Sequence, residues 1–393
     1  MKCKVCQNNS LKEIIDLGKQ PLANKYPLSK NIKNEKIYHL LLLLCKKCLA
    51  VRIKKIISRN EMFEDYYYLS SVNNQLVLHF EKLAKKLNKS NFVLDIGSND
   101  GILLRPLKKL GVKCLGIDPS INVGKIANKD NLETLIGFFD NKNTEKILKN
   151  YGKPDVIVAS SIFTHVSEPK KFIKNIKKLL SENGMFILEI EYLNNFVKNL
   201  QFERFYFDRP FYYSANSIKK LFNNVGMTLF DIEKINVHGG SLRCYIKNSR
   251  NTKITNRCKI ILNDEKKKLS LSEFKKFNIK IYKSSEIFKD KLTKLKKKGS
   301  KIIGYGSPAR VSTITNVAKI NSNLIEYIID DSPLKQNRFS PGMHIKILPR
   351  KKNINKNIDI VLVFAYEYFK DIEKFFGKFK VDFYKPIPFS KLK

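Results

Sequence analysis

The stretch FVLDIGSNDG, Phe92 to Gly101, runs apolar residues of strand type into Asp95, Gly97 and Gly101. Helical periodicity precedes it at 76–89 (LVLHFEKLAKKLNK) and resumes in GILLRPLKKLG, which Gly111 closes. The order is therefore strand, glycine-rich turn, helix. The spacing DxGxxxG is neither the GxGxxG of dinucleotide binding nor a phosphate-cradling loop with GK[ST]. Gly97 lets backbone approach a ligand closely, and the Asp95 carboxylate can accept hydrogen bonds from an ammonium group or ordered water. Such a turn suits an amino acid joined to a nucleoside.

The next apolar run, KCLGIDPS, ends in Asp118, 23 residues after Asp95. An acid closing the second strand of a doubly wound sheet is positioned to hold both ribose hydroxyls. Further strands are expected in PDVIVASSIFTHV (154–166) and NGMFILEIEY (183–192), with helical stretches between them, and GFFD (137–140) offers aromatic surface for an adenine. Together these features predict an α/β S-adenosylmethionine domain. Its candidate cofactor residues are Asp95, Gly97, Ser98, Asn99, Gly101, Asp118, Pro119, Phe139 and Ser160.

Seven cysteines divide unequally. Cys3 and Cys6 (CKVC) and Cys45 and Cys48 (CKKC) form two CxxC pairs, whereas Cys114, Cys244 and Cys258 are scattered and read as small core residues. Two such knuckles in a reducing compartment point to a zinc ion held by four thiolates, and a redox role would need only one pair. With every position taken by sulfur, the metal is expected to be structural.

The chain is basic throughout: 75 Lys and Arg against 36 acids give a formal net charge of +39 in 393 residues. That balance attracts polyanions. The lysines, however, are spread along every segment together with Asn and Ile, as compositional drift would produce. No apolar run approaches the roughly 18 residues of a membrane span, and Cys3 almost abuts Met1, so a cytoplasmic protein without membrane segment or signal sequence is expected.

Seven motifs occur in one order: the paired CxxC, MFEDYYYLSS (62–71), LDIGSNDGILL, IFTHV, FERFYFDRPFYYS (202–214), HGGSLRCY (238–245) and IIGYGSPAR (302–310). In this the chain resembles the zinc-containing S-adenosylmethionine methyltransferases that alkylate C3 of nucleotide-linked 4-keto-deoxysugars. The resemblance spans nearly the whole chain. It implies an N-terminal zinc-binding domain (1–70), a central doubly wound class I methyltransferase domain (71–240), and a helical connector with a C-terminal Rossmann-like α/β domain (241–393). Within the last, Gly304, Gly306 and Ala309 have GxGxxA spacing, and Asp330 and Asp331 end the next strand. This could be an NAD site, but the resemblance implies a degenerate fold that contacts the nucleotide-sugar. Residues 262–300 read as a solvated, Lys-rich helical connector. The substrate-contact candidates are Tyr68, His238, Gly239, Ser241, Arg243, Tyr305, Arg310 and Lys335; His39, His79 and His344 receive no role.

The chemistry departs from that family. Its members carry YHEH, whose second histidine is the favoured base; here the run is Tyr206, Phe207, Asp208, Arg209. A guanidinium stays protonated above about pH 12 and cannot be that base. Either His165 or Asp208 removes the proton, or the acceptor has changed to an anionic group or an oxygen nucleophile. His165, Tyr206, Asp208 and Arg209 are therefore the catalytic candidates for C- or O-methylation of a nucleotide-activated sugar or related small acceptor. The reading from another class is a nucleic-acid-binding zinc protein or RNA methyltransferase. Against it, the basic residues gather on no single motif, and recognisable RNA-reading modules are missing.

Overall fold

All five residues of strand β4 (Phe92–Ile96) are buried, as expected of a central strand in a parallel sheet covered on both faces. The computed structural model of the chain describes residues 1–58, 71, 74–377 and 379–393. Within them β4 joins β5 (Lys113–Asp118), β6 (Thr134–Ile136), β7 (Val156–Ser160), β8 (Met185–Glu191), β10 (Thr228–Ile235) and β11 (Ser241–Lys247). The sheet order is β10-β11-β8-β7-β4-β5-β6. Strands β4 to β8 run parallel, and β11 enters antiparallel between β8 and β10. The chain moves outward from β4 to β6 and then returns to β7 on the other side. The switch point therefore falls between β4 and β7, where a crevice opens beyond the carboxyl ends.

Alternation along the strands sorts the two faces. Leu94, Ile96, Ile157, Ala159, Leu188 and Ile190 pack under the helices Pro169–Leu179 and Ala215–Asn223. Val93, Val158 and Ile187 pack under the helix Asn74–Lys86, which begins two residues before and ends three before the expected 76–89. By the same period of two, Asp95, Ser160, Glu189 and Glu191 share this second face towards the carboxyl edge. β11 begins at Ser241 and pairs in register with β8, so the seven-stranded sheet runs on to Lys247, past the expected break at 240.

The N-terminal sheet has the order β1-β2-β3-β9, with β1 (Leu11–Pro21), β2 (Ile37–Cys45) and β3 (Val51–Ile53) paired antiparallel. Its fourth strand, β9 (Phe211–Tyr212), is lent by the middle unit. The C-terminal sheet, β14-β13-β12-β15-β16-β17, is parallel except at β17, with β12 (Ile302–Tyr305), β13 (Ile328–Ile329), β14 (Ile347–Leu348), β15 (Ile360–Val363), β16 (Asp382–Lys385) and β17 (Ser390–Lys391). That is the expected Rossmann-like order.

The connector is two helices, Asn256–Lys268 and Leu271–Lys297, and it is more than a solvated spacer. Phe274, Phe277, Ile281, Phe288 and Leu292 recur at helical spacing, are buried, and share a core with Ile15 and Leu17 of β1 and Val311 and Ile314 of the helix Arg310–Ala318. Lysine content concealed an amphipathic helix that joins the N- and C-terminal units. No helix among the described residues is long and apolar enough to cross a membrane.

Candidate active site

Cys45 ends β2, Cys48 precedes β3, and Cys3 and Cys6 flank a turn. Each knuckle closes with an i+4 backbone bond, Gln7 N–H to the Cys3 carbonyl and Leu49 N–H to the Cys45 carbonyl, both 2.8 Å. The four Sγ atoms lie within 4.8 Å of one another, with Cys3 to Cys48 at 3.8 Å and Cys6 to Cys45 at 3.5 Å. Zinc–sulfur bonds of roughly 2.3 Å set tetrahedral sulfurs roughly 3.8 Å apart, so the donors fit zinc. The hydrogen bond from Cys48 draws the Cys3 thiol down to about 5 and raises Cys48 itself, so the cluster already disfavours a full set of protons. These cysteines share a core with Phe211 and Tyr213, and Ile53 N–H donates to the Pro210 carbonyl at 3.1 Å. The metal-binding unit thereby holds the backbone next to Arg209.

The glycine turn leaves β4 with Gly97 at φ +77°, its N–H on the Ile117 carbonyl at 2.7 Å. A Cβ at Gly97 would lie 2.4 Å from Ile162 Cγ2, so only glycine fits. Asp118 braces the turn: Oδ2 accepts from Asn99 N–H at 3.0 Å and Oδ1 from Ser120 N–H at 2.8 Å. Asp95 is 3% exposed. Burial, then the nearby Asp118 and Glu189, raise its carboxyl to about 8, and no cation pairs with it among the described residues. The Ser98 hydroxyl is buried without a partner among the described residues, Gly101 closes the turn at φ +79°, and Pro119 lies exposed beside Asp118. Ser160 Oγ donates to Glu189 Oε2 at 2.9 Å. Phe139 meets Phe172 edge-on at 5.1 Å, beside a cavity of about 380 Å³ that Asp140, Val166 and Glu168 also line. A buried acid beside a glycine cradle, with a second acid bracing that turn, fits the ammonium and ribose groups of an aminoacyl nucleoside.

Beyond the end of β8 a second polar cluster forms. Glu191, 1% exposed at its side chain, pairs with Arg209 Nη2. Burial alone would raise the Glu191 carboxyl, but Arg209, and behind it His238 and His165, hold it below the usual range. The Arg209 guanidinium stands 5.1 Å from the Tyr206 ring centre, and its Nε and Nη1 are buried without an acceptor among the described residues. His165 Nδ1 is 2.7 Å from the Asp208 carbonyl. A carbonyl only accepts, so Nδ1 carries a proton, and in the neutral imidazole the lone pair is on Nε2. Burial raises the Asp208 carboxyl, against the bond from Asn24 Nδ2 to its Oδ2 at 2.5 Å. His238, at φ +50°, leads the turn into β11, and burial lowers its imidazole although Glu191 acts the other way. Gly239 follows, where a Cβ would lie 2.3 Å from Arg204 Nη2.

The remaining candidates lie apart from this cluster. Arg243 Nε binds Glu189 Oε1 at 2.6 Å, and its Nη2 lies 3.2 Å from His79 Nε2; His79 also sits 3.0 Å from Glu189. That trio braces the sheet face behind Asp95, giving the unassigned His79 a place. Ser241 Oγ donates to the Val237 carbonyl at 3.0 Å. In the C-terminal unit Tyr305 donates to Asp331 at 2.8 Å, Arg310 binds Glu367 at 2.9 Å, and Lys335 reaches the Ser307 carbonyl at 3.1 Å. The GxGxxA turn is tied down by Asp330, which accepts from Ser307 N–H at 2.6 Å, and by buried Tyr26, whose hydroxyl donates to the Ser307 carbonyl at 2.5 Å. Glu367 also binds Arg204 at 2.8 Å, bridging the C-terminal and middle units. Tyr68 lies outside the described residues. Glu189, Glu191, Asn24 and Glu367 escaped the sequence reading; the one available signal was two acids two apart in the buried strand FILEIEY.

A doubly wound sheet with an antiparallel seventh strand, a glycine turn after its first strand and an acid ending its second define a class I S-adenosylmethionine-dependent methyltransferase. Three family models tile the chain: "Putative zinc binding domain" at residues 3–63, "Methyltransferase domain" at 68–231 and "C-methyltransferase C-terminal domain" at 236–388. In this order the three matches span residues 3 to 388 of the chain. It is 24% identical over 400 residues to the "C-methyltransferase NovU" of Streptomyces niveus, covering 98% of this chain and 95% of that protein. It is 37% identical over 119 residues to a ubiquinone biosynthesis O-methyltransferase of Pelagibacter ubique, covering 28% of this chain and 45% of that protein. Similar solved structures include the plantazolicin methyltransferase BpumL with SAH (TM-score 0.35, 16% identity, 45% of this chain and 84% of that one). Another is the magnesium protoporphyrin IX methyltransferase of Synechocystis with SAM (TM-score 0.32, 14% identity, 45% and 79%).

Proposed function

We propose that the chain methylates carbon in a nucleotide-linked keto-sugar, in the cytoplasm, as a step of carbohydrate biosynthesis. S-Adenosylmethionine, when bound, supplies an electrophilic methyl group on a sulfonium. Asp95 takes its ammonium group, the backbone of Gly97 to Gly101 lines its amino-acid portion, Asp118 accepts from its ribose hydroxyls, and Phe139 covers its adenine. The acceptor lies over it among His165, Tyr206, Asp208 and Arg209, with its nucleotide towards the C-terminal unit.

The observation carrying this reading is the bond from His165 Nδ1–H to the Asp208 carbonyl, which puts the lone pair of a neutral imidazole on Nε2. His165 is then the proton acceptor that the Tyr206–Arg209 run does not provide. Asp208, held up by burial, fixes that geometry through its own backbone and stays protonated more readily than an exposed acid. The bound GxGxxA turn, covered by Tyr26, favours contact with a nucleotide-sugar over an open dinucleotide site.

Turnover with methyl-labelled cofactor against a panel of nucleotide-activated sugars, with the methylated atom assigned by NMR, tests the proposal. Label on a carbon next to a sugar ketone is expected; label on oxygen in every product, or on RNA alone, refutes it. Loss of polynucleotide binding on addition of salt, steep with concentration, would support the nucleic-acid reading instead.

A further inference from the structure

Arg209 is a buried guanidinium paired on one side only. One guanidinium nitrogen, Nη2, meets Glu191, while Nε on one side of the group and Nη1 on the other are buried with no acceptor among the described residues. Leaving donors buried and unpaired costs roughly 1–3 kcal/mol per group, so an open donor here suits an acceptor that a ligand brings. Glu191 cancels the guanidinium charge, and burial keeps neighbouring Asp208 and His238 towards their neutral forms. A site for a permanent anion would keep its positive charge. A balanced pair with an open donor suits an oxygen that is neutral on binding and gains charge only as the reaction proceeds.

We propose that Arg209 is the oxyanion-stabilising residue of this methyltransferase, donating from Nη1 to the acceptor's carbonyl oxygen, and that Glu191 is the positioning residue that orients it and cancels its charge. This rests on the keto-sugar reading above. The C–H proton passes to His165 Nε2, the C–H pair becomes the carbon–carbon π bond, and the carbonyl π pair moves onto oxygen against Arg209. When carbon bonds the methyl group, the oxygen pair reforms the carbonyl and the pair of the broken methyl–sulfur bond stays on sulfur. Arg209 thereby fills the place of a base without acting as one.

The test uses the full zinc-loaded chain with S-adenosylhomocysteine and two probes. In D2O, thymidine diphosphate 4-keto-6-deoxyglucose should exchange the proton next to its ketone, followed by NMR. Arg209→Gln is expected to slow exchange by about 100- to 1,000-fold with KM little changed, as for loss of an oxyanion donor, and Arg209→Lys to restore part of it. Full exchange in Arg209→Gln overturns the proposal. The second probe, formate titrated calorimetrically, does not depend on the sugar. Glu191→Gln leaves the guanidinium uncompensated, so formate should bind at least about tenfold tighter than in the wild type, and the gain should vanish in the double variant with Arg209→Gln. A role for Glu191 in folding alone predicts equal or weaker formate binding, and that result overturns the proposal. If wild-type protein leaves the sugar unexchanged, the keto-sugar reading fails, and the formate comparison still decides the role of the Arg209–Glu191 pair. If Glu191→Gln does not fold, formate binding to wild type against Arg209→Gln decides it: weak binding lost with the guanidinium supports the open donor, and identical binding overturns it.

Discussion

Replacing Asp118 by Asn separates the two tasks this carboxylate is given. In the chain as it stands, Oδ1 and Oδ2 accept from Ser120 and Asn99 backbone N–H groups at 2.8 and 3.0 Å. Asparagine keeps the shape but offers one oxygen, so one of those N–H groups faces an amide NH2. Losing a hydrogen bond to a charged acceptor costs roughly 1.5–3 kcal/mol. Part of that returns, because burial is the leading cause of the raised Asp118 carboxyl and the amide carries no charge to desolvate. The expected net loss of stability is about 1–2 kcal/mol, read as a lower urea midpoint at unchanged slope. Cofactor affinity should fall further. The ribose hydroxyls lose their anionic acceptor and the turn loses a brace, together about 2–4 kcal/mol, or roughly 30- to 1,000-fold in Kd by calorimetry with S-adenosylmethionine. Asn99→Ala, which keeps the backbone N–H, should leave affinity within a few-fold. Wild-type affinity in Asp118→Asn would show that the ribose is not held at the end of β5, and the placement of the cofactor would fail with it.

Gly97→Ala, at φ +77° with its Cβ 2.4 Å from Ile162, should cost upwards of about 1–3 kcal/mol by thermal melting and abolish cofactor binding; a fully active alanine variant would show the turn is not tight. Cys45→Ser should lower zinc content by metal analysis and reduce stability, and because β3 pairs with β9 next to Arg209, it should also lower kcat; full activity in a metal-free variant would refute the coupling. Asp95, raised to about 8 by burial and by Asp118 and Glu189, should release a proton when a cationic cofactor binds near pH 7, seen as a binding enthalpy that varies with buffer ionisation and disappears in Asp95→Asn. Since the folded value lies above the unfolded one near 3.8, the same group stabilises the cofactor-free protein fully below about pH 3.8 and loses that contribution as pH rises through about 8; a stability flat across that window would contradict it.

Local rules carried far along this chain. The DxGxxxG turn after an apolar strand, Asp118 after the next one and the two CxxC knuckles are short-range patterns, in which residue type and spacing dictate backbone form and metal geometry without reference to distant parts. The same holds for β12 and the GxGxxA turn. The long helix was misread where a surface rich in lysine hid a buried stripe at spacing three and four, which becomes meaningful only against β1 and the helix Arg310–Ala318. The place of β11 was hidden for a similar reason: it joins the middle sheet through pairing with β8, a contact between residues some fifty positions apart along the chain.

The sequence by itself determined the class of fold, the zinc ligands and the absence of a base at Arg209, because each follows from the chemistry of neighbouring residues. Only the tertiary structure decided what surrounds that arginine. Glu191 comes from the end of β8, Asn24 from the N-terminal unit and His165 from the turn after β7, and no periodicity along the chain records that three separate elements meet there. Whether a guanidinium is an open cation or half of a balanced pair depends on which carboxylate is folded against it, and that is a property of packing.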